Sequence, residues 1–183
     1  MRKLIAVLAL AALGASAASA QSMWNTEIGI QGGYSRLKPA GTGVNDYTDV
    51  FDIPGANSGL ATGIPTTYNS FFAILSWKDK VALEPSMAFG SIAGQVTQVG
   101  LSLRADYALS PKFYAAGGAV MGYLATGGIT DYQLGVQAAV GYRLKVTGRI
   151  NGRLEANWIS TKATDVVGAA NVYSLLFGVS TRL

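Results

Sequence analysis

The chain of 183 residues is half hydrophobic, only 13% charged, rich in glycine (23) and devoid of cysteine and histidine. Its formal charge of +4 falls to +2 once Arg2 and Lys3 are set aside, which leaves no basic patch for a nucleic-acid partner. Without histidine neither a Ser-His-Asp nor a Cys-His nucleophile can be assembled, and without cysteine an exported fold must rely on packing and backbone pairing.

Residues 1–20 read as a cleaved secretory signal. Arg2 and Lys3 precede an apolar run from Leu4 to Leu13, and Ala18-Ser19-Ala20 places small residues before Gln21. The apolar run is too short to span a bilayer, and no cysteine stands at the cleavage point to carry an acyl anchor. Residues 21–183 then form the mature chain, one domain by length.

From Trp24 onward, apolar residues alternate with small or polar ones in segments of about ten, the pattern of strands with two unlike faces. The first segment sets Trp24, Thr26, Ile28, Ile30 and Tyr34 against Glu27, Gly29, Gln31 and Gly33. The second, 69–77, sets Phe71, Ala73, Leu75 and Trp77 against Ser70, Phe72, Ile74 and Ser76. In the third, Val81, Leu83, Pro85, Met87 and Phe89 oppose Ala82, Glu84, Ser86 and Ala88.

The fourth segment runs from about Gln95 to Tyr107, with Leu101, Leu103, Ala105 and Tyr107 opposite Ser102, Arg104 and Asp106. The fifth, Phe113 to about Leu124, is small-residue-rich on both faces; five glycines between Phe113 and Thr130 argue against a transmembrane helix there. The sixth alternates Tyr132 through Tyr142 with Gln133 through Arg143. The seventh opposes Ile150, Leu154, Ala156 and Trp158 to Arg153, Glu155 and Asn157. The eighth sets Tyr173, Leu175, Phe177, Val179, Thr181 and Leu183 against Ser174, Gly178, Ser180 and Arg182.

Tight turns at Lys78–Lys80, Leu109–Pro111 and Lys145–Gly148 alternate with a second set of connections. That set holds one long loop (39–68), two short ones near 91–94 and 125–129, and a medium one (160–170). Tight turns at one end and longer loops at the other are expected of an all-β, eight-stranded, antiparallel up-and-down transmembrane barrel.

Alternation alone does not say which face is inside, since a soluble lipocalin-like barrel would turn its apolar parity inward. The charged residues decide for the inverted arrangement. Glu27, Glu84, Arg104, Asp106, Arg143, Arg153, Glu155 and Arg182 all fall opposite the apolar set of their strand, which independent placement would give roughly once in 256. Four acids meet four bases, as a closed lumen requires, because unpaired buried charge is costly. The rest of that parity is mostly Gly, Ala, Ser and Gln, leaving room for arginine side chains. We therefore expect a lumen charge network near the tight-turn end, with Glu84 and Arg104 on adjacent strands in contact. The apolar parity carries Trp24, Tyr34, Trp77, Phe89, Tyr107, Phe113, Tyr123, Tyr142, Trp158 and Tyr173 near strand ends, as expected of two interfacial girdles.

Three stretches carry a family resemblance: EIGIQGGYSRLKP (Glu27–Pro39), VALEPSMAFG (Val81–Gly90) and YSLLFGVSTRL (Tyr173–Leu183). The chain resembles the small outer-membrane β-barrels of OmpA/OmpX type over essentially all of 21–183. The resemblance implies the outer membrane of a Gram-negative-type bacterium, with outer-membrane lipid and the barrel-assembly machinery as partners. Tyr173, Leu175, Phe177, Val179 and Leu183 would be the assembly signal; such signals commonly end in Phe, whereas this chain ends in Leu183. No stretch is left over for a peptidoglycan-binding domain.

Deacylase or palmitoyltransferase barrels use a histidine, and none is present, so no catalytic residue is assigned and no cofactor or metal is expected. Asp46, Asp49 and Asp52 in the long loop lack the EF-hand spacing and read as solvated turn residues rather than a calcium site. Lys78, Lys80, Lys112 and Lys145 form a rim at the tight-turn end. The expected function is envelope structure or surface contact through loop 39–68, with a lumen plugged by paired charge. The alternatives are a narrow porin-like channel for ions or small solutes and, less favoured, a soluble lipocalin-like binder.

Overall fold

The structure, a computed structural model, describes residues 24–39, 48–52, 70–78, 80–92, 96–126, 128–165 and 168–183. The stretch expected to be a secretory signal and most of the expected long loop lie outside these residues. Among the described residues nine strands follow in order: β1 (Glu27–Pro39), β2 (Thr48–Asp52), β3 (Ser70–Lys78), β4 (Val81–Ile92), β5 (Val96–Ala108), β6 (Phe113–Thr126), β7 (Ile129–Lys145), β8 (Ile150–Thr161) and β9 (Ala170–Arg182). Every pairing is antiparallel, and neighbours in the chain pair in space from β3 to β9. β9 returns to β1 over thirteen rungs, from Glu27↔Arg182 to Pro39↔Ala170, and closes the barrel.

Nine strands make eight staves because β2 and β3 share one edge of β1. β3 pairs with Glu27–Gln31 and β2 with Gly33–Leu37. The stretch expected to be an uninterrupted loop over 39–68 thus contributes a five-residue strand to the barrel wall. A second difference lies between β6 and β7. The loop expected over 125–129 contracts to two residues, with Thr126 opposite Ile129 and Gly128 at φ +85°. Glycine takes that left-handed conformation without Cβ strain, which suits a two-residue hairpin.

The facing is inside-out. Leu103 and Val140 are 56% and 48% exposed, whereas Arg104 is 3% and Glu155 0% exposed. This overturns the soluble lipocalin-like alternative, which needs the opposite facing. Hydrocarbon provides no hydrogen bonds, so a spanning sheet must satisfy its backbone internally, and closure of β1 on β9 serves that need. Among the described residues no helix is long and apolar enough to cross a membrane.

The interior is layered. Near the tight turns Trp24, Phe72, Ile74, Ala82, Ala108 and Tyr114 form one apolar cluster. Toward the other end Leu37, Val120, Ile159, Ala170, Val172 and Leu176 form a second. The charged side chains occupy the barrel between and beside them. Glycine makes the space: a Cβ on Gly141 would lie 2.2 Å from the Tyr114 ring, and one on Gly178 would lie 2.8 Å from the Arg153 side chain.

Candidate functional site

Arg104, projecting inward from β5, is the hub of the lumen. Its Nη1 and Nη2 donate to Oε1 and Oε2 of Glu155 on β8 at 2.8 and 2.6 Å. Nη2 also lies 3.1 Å from Glu84 Oε1, and Nε lies 2.9 Å from Asp106 Oδ1. The expected Glu84–Arg104 contact is therefore present, on the rung that pairs them. Glu155 Oε2 also accepts the Tyr114 hydroxyl at 2.6 Å.

Arg153 on β8 spans the lumen the other way. Its Nη1 reaches Glu84 Oε2 at 2.5 Å, its Nη2 meets Gln31 Oε1 on β1, and its guanidinium lies 3.7 Å from the Phe72 ring centroid. β4 and β8 lie half a circumference apart, so this pair braces the cylinder across its width. Buried ion pairs repay desolvation only with such multiple, well-aligned hydrogen bonds.

A second centre lies on Glu27, at the start of β1. Its Oε2 accepts from Arg143 Nη2 and Ser180 Oγ, both at 2.6 Å, and its Oε1 accepts from Asn151 Nδ2 at 2.8 Å. Arg143 in turn lies 5.0 Å from the Trp24 ring centroid. Trp24 packs edge-on against Tyr114 at 5.5 Å and donates from Nε1 to the Lys80 carbonyl at 3.2 Å.

Two expectations are corrected. Arg182 sits on the inward parity, but β9 ends there and its side chain is exposed at the rim, outside the network. Seven of the eight predicted charges are thus buried together, four acids with three bases. Trp24 is no girdle residue: it is 3% exposed and lies inside. β1 starts at Glu27, so the pleat's alternation does not extend back to Trp24.

The other rings face outward. Trp77, Tyr107, Phe113 and Tyr142 ring the tight-turn end; Tyr34, Tyr123, Trp158 and Tyr173 lie toward the other, with Tyr34, Tyr123 and Tyr142 half-buried. The Phe89 side chain lies outside the described residues, as do Asp46 and the side chains of Asp49 and Asp52. Tyr173, Leu175, Phe177, Val179 and Leu183 are all exposed. Lys78, Lys80, Lys112 and Lys145 are exposed at the tight-turn end, joined there by Arg149 and Arg182.

Sequence reasoning missed Tyr114, Gln31, Asn151 and Ser180 as partners in the lumen. Tyr114 left one trace, because its neighbour on the β7 rung is Gly141, a large side chain opposite none. Among the described residues no group of His, Cys, Asp and Glu could hold a metal ion.

No protein-family description and no characterised protein sequence matches the chain. The fold is similar to that of Neisserial surface protein A (NspA), at 10% identity over 86% of this chain and 97% of that one, with a TM-score of 0.60. The crystal structure of Ail, the attachment invasion locus protein of Yersinia pestis, aligns at 14% identity over 87% of this chain and all of that one, with a TM-score of 0.44. Ail in a phospholipid bilayer nanodisc gives 11% identity, 85% and 98% coverage, and 0.47. The common ground with NspA is the fold: a small, closed, antiparallel β-barrel.

Proposed function

We propose that this barrel is a non-enzymatic envelope protein of the outer membrane, closed to solute and acting at the cell surface through its long external connection, 39–68. The observation that carries the closed lumen is the bracing of Arg104 and Arg153 against Glu84 and Glu155, between two apolar clusters. Eight strands enclose an interior that side chains can fill, and here charge pairs and aliphatic groups occupy it. The tight turns then face the periplasm and the long connection faces outward. The exposed rings form the two interfacial girdles, and the outward apolar residues of β9 form the signal read by the assembly machinery. The surface reading is supported by the length of the 39–68 stretch, which exceeds every other interval between the described neighbouring staves even though it carries β2 within it.

A narrow channel is the second reading. Asp106 Oδ2, Arg143 Nη1 and Gln137 Nε2 are buried polar atoms with no hydrogen-bond partner among the described residues, and a file of water would satisfy them. Single-channel recording of the folded chain in planar bilayers separates the two. We expect a silent membrane; reproducible open steps would overturn the closed reading. Protease treatment of whole cells tests the external placement: cleavage within 39–68 supports it, and cleavage confined to the tight turns overturns it.

A further inference from the structure

Where β9, β1, β3, β4 and β5 run side by side, the outward apolar surface is indented by a groove of about 1020 Å³. Ile30, Phe71, Met87 and Leu101 wall it along one line of rungs, and the short side chains of Ala73 and Pro85 lie on the next line toward the tight turns. The sequence supplies the cause. Pro85 has no N–H to donate, and the β3–β4 ladder omits the rungs joining Ala73 to Pro85 and Ile74 to Glu84 before resuming in register at Leu75↔Leu83. A proline in a barrel strand thus leaves a low place in the wall two rungs from the bulky pair Phe71↔Met87 on the same ladder.

Position and charge together select an occupant. The groove lies within the outward apolar band, so hydrocarbon is what meets it. From Ala73 down β3 to Lys78 is five residues, about 16 Å along the strand. With a strand tilt of about 40° that is roughly 12 Å of depth, inside the ~15 Å half-thickness of a bilayer's hydrocarbon. At the foot of the groove's own staves stand exposed Lys78 and Lys80, with Lys78 Nζ 5.8 Å from the Trp77 ring centroid. Lys112, Lys145, Arg149 and Arg182 extend this positive rim, and the described residues at this end expose no acidic side chain.

We infer that the groove seats an acyl chain of an anionic phospholipid from the leaflet on the tight-turn side, whose phosphate is met by Lys78 and Lys80. The inference rests on the membrane-spanning reading given above. It names a lipid site on one flank of the barrel rather than a uniform lipid coat.

The test uses the folded mature chain in phosphatidylcholine vesicles doped with phosphatidylglycerol carrying a mid-chain diazirine, with labelled residues located by mass spectrometry. Ile30, Phe71, Met87 and Leu101 should be labelled about fivefold more than Leu134, Val136 and Val140 on the far side, the ratio that a preference of ~1 kcal/mol produces. Ala73→Phe should bring the groove to the far-side level while keeping the heat-dependent gel mobility of a folded barrel. Lys78→Glu with Lys80→Glu should abolish the preference for phosphatidylglycerol over phosphatidylcholine bearing the same diazirine. Even labelling around the unaltered barrel would overturn the inference, as would groove labelling indifferent to Ala73→Phe or to headgroup charge. If no outward residue were labelled at all, the membrane-spanning reading would fall, and the inference with it.

Discussion

Arg104 on β5 and Glu155 on β8 grip each other across the lumen, guanidinium fork to carboxylate fork, at 2.8 and 2.6 Å. Two staves, β6 and β7, stand between their strands, so the contact exists only once the sheet is closed. The same guanidinium also holds Glu84 and Asp106, which makes it the common partner of three buried carboxylates. Its loss therefore acts on all three at once.

Arg104→Met should cost about 3–5 kcal/mol of folding stability, because it strands buried negative charge. Urea unfolding in lipid vesicles, followed by tryptophan fluorescence, measures it. Combined with Glu155→Leu in a double-mutant cycle, the pair should couple by about 1–3 kcal/mol. Additive losses would mean that the two side chains do not support each other.

Gly141→Val should destabilise the barrel by about 1–3 kcal/mol through overpacking. A Cβ at that position would already lie 2.2 Å from the Tyr114 ring. Tyr114→Ala in the same chain should recover part of the loss, despite removing the hydroxyl that donates to Glu155. If the second substitution deepened the defect instead, the ring would not be the obstacle.

Outward substitutions should depend on depth. Leu103→Arg, in the middle of β5, should cost about 2–4 kcal/mol, whereas Tyr107→Arg, near the tight-turn end of the same strand, should cost roughly 0–1 kcal/mol. Equal costs for the two would contradict a lipid-facing band.

The three tryptophans should report opposite surroundings. In single-tryptophan variants, bromine-bearing acyl chains should quench Trp77 and Trp158, which face outward, and leave Trp24 nearly unaffected. Strong quenching of Trp24 would place it outside the barrel, against its packing on Tyr114 and Arg143.

The strands and their facing were legible because a pleat sends successive side chains to opposite faces, a property set within a few residues. Arg104 and Asp106 share a parity in LSLRADY, and that parity lies inward. The same local rule failed where the pleat stops: Trp24 precedes β1 and turns inside, and Arg182 ends β9 and escapes the lumen. β2 was hidden because Thr48–Asp52 lacks a clear apolar alternation of its own and is held by its register on β1.

By itself, then, the order of residues determined an inside-out barrel wall, since lipid and lumen impose a two-residue period that each strand carries alone. Only the tertiary structure decided that Arg104 would meet Glu155, that Arg153 would reach Glu84, and that a break at Pro85 would indent the outer wall. Those contacts join staves far apart in sequence, and they follow from the register and closure of the whole cylinder, which no single strand contains.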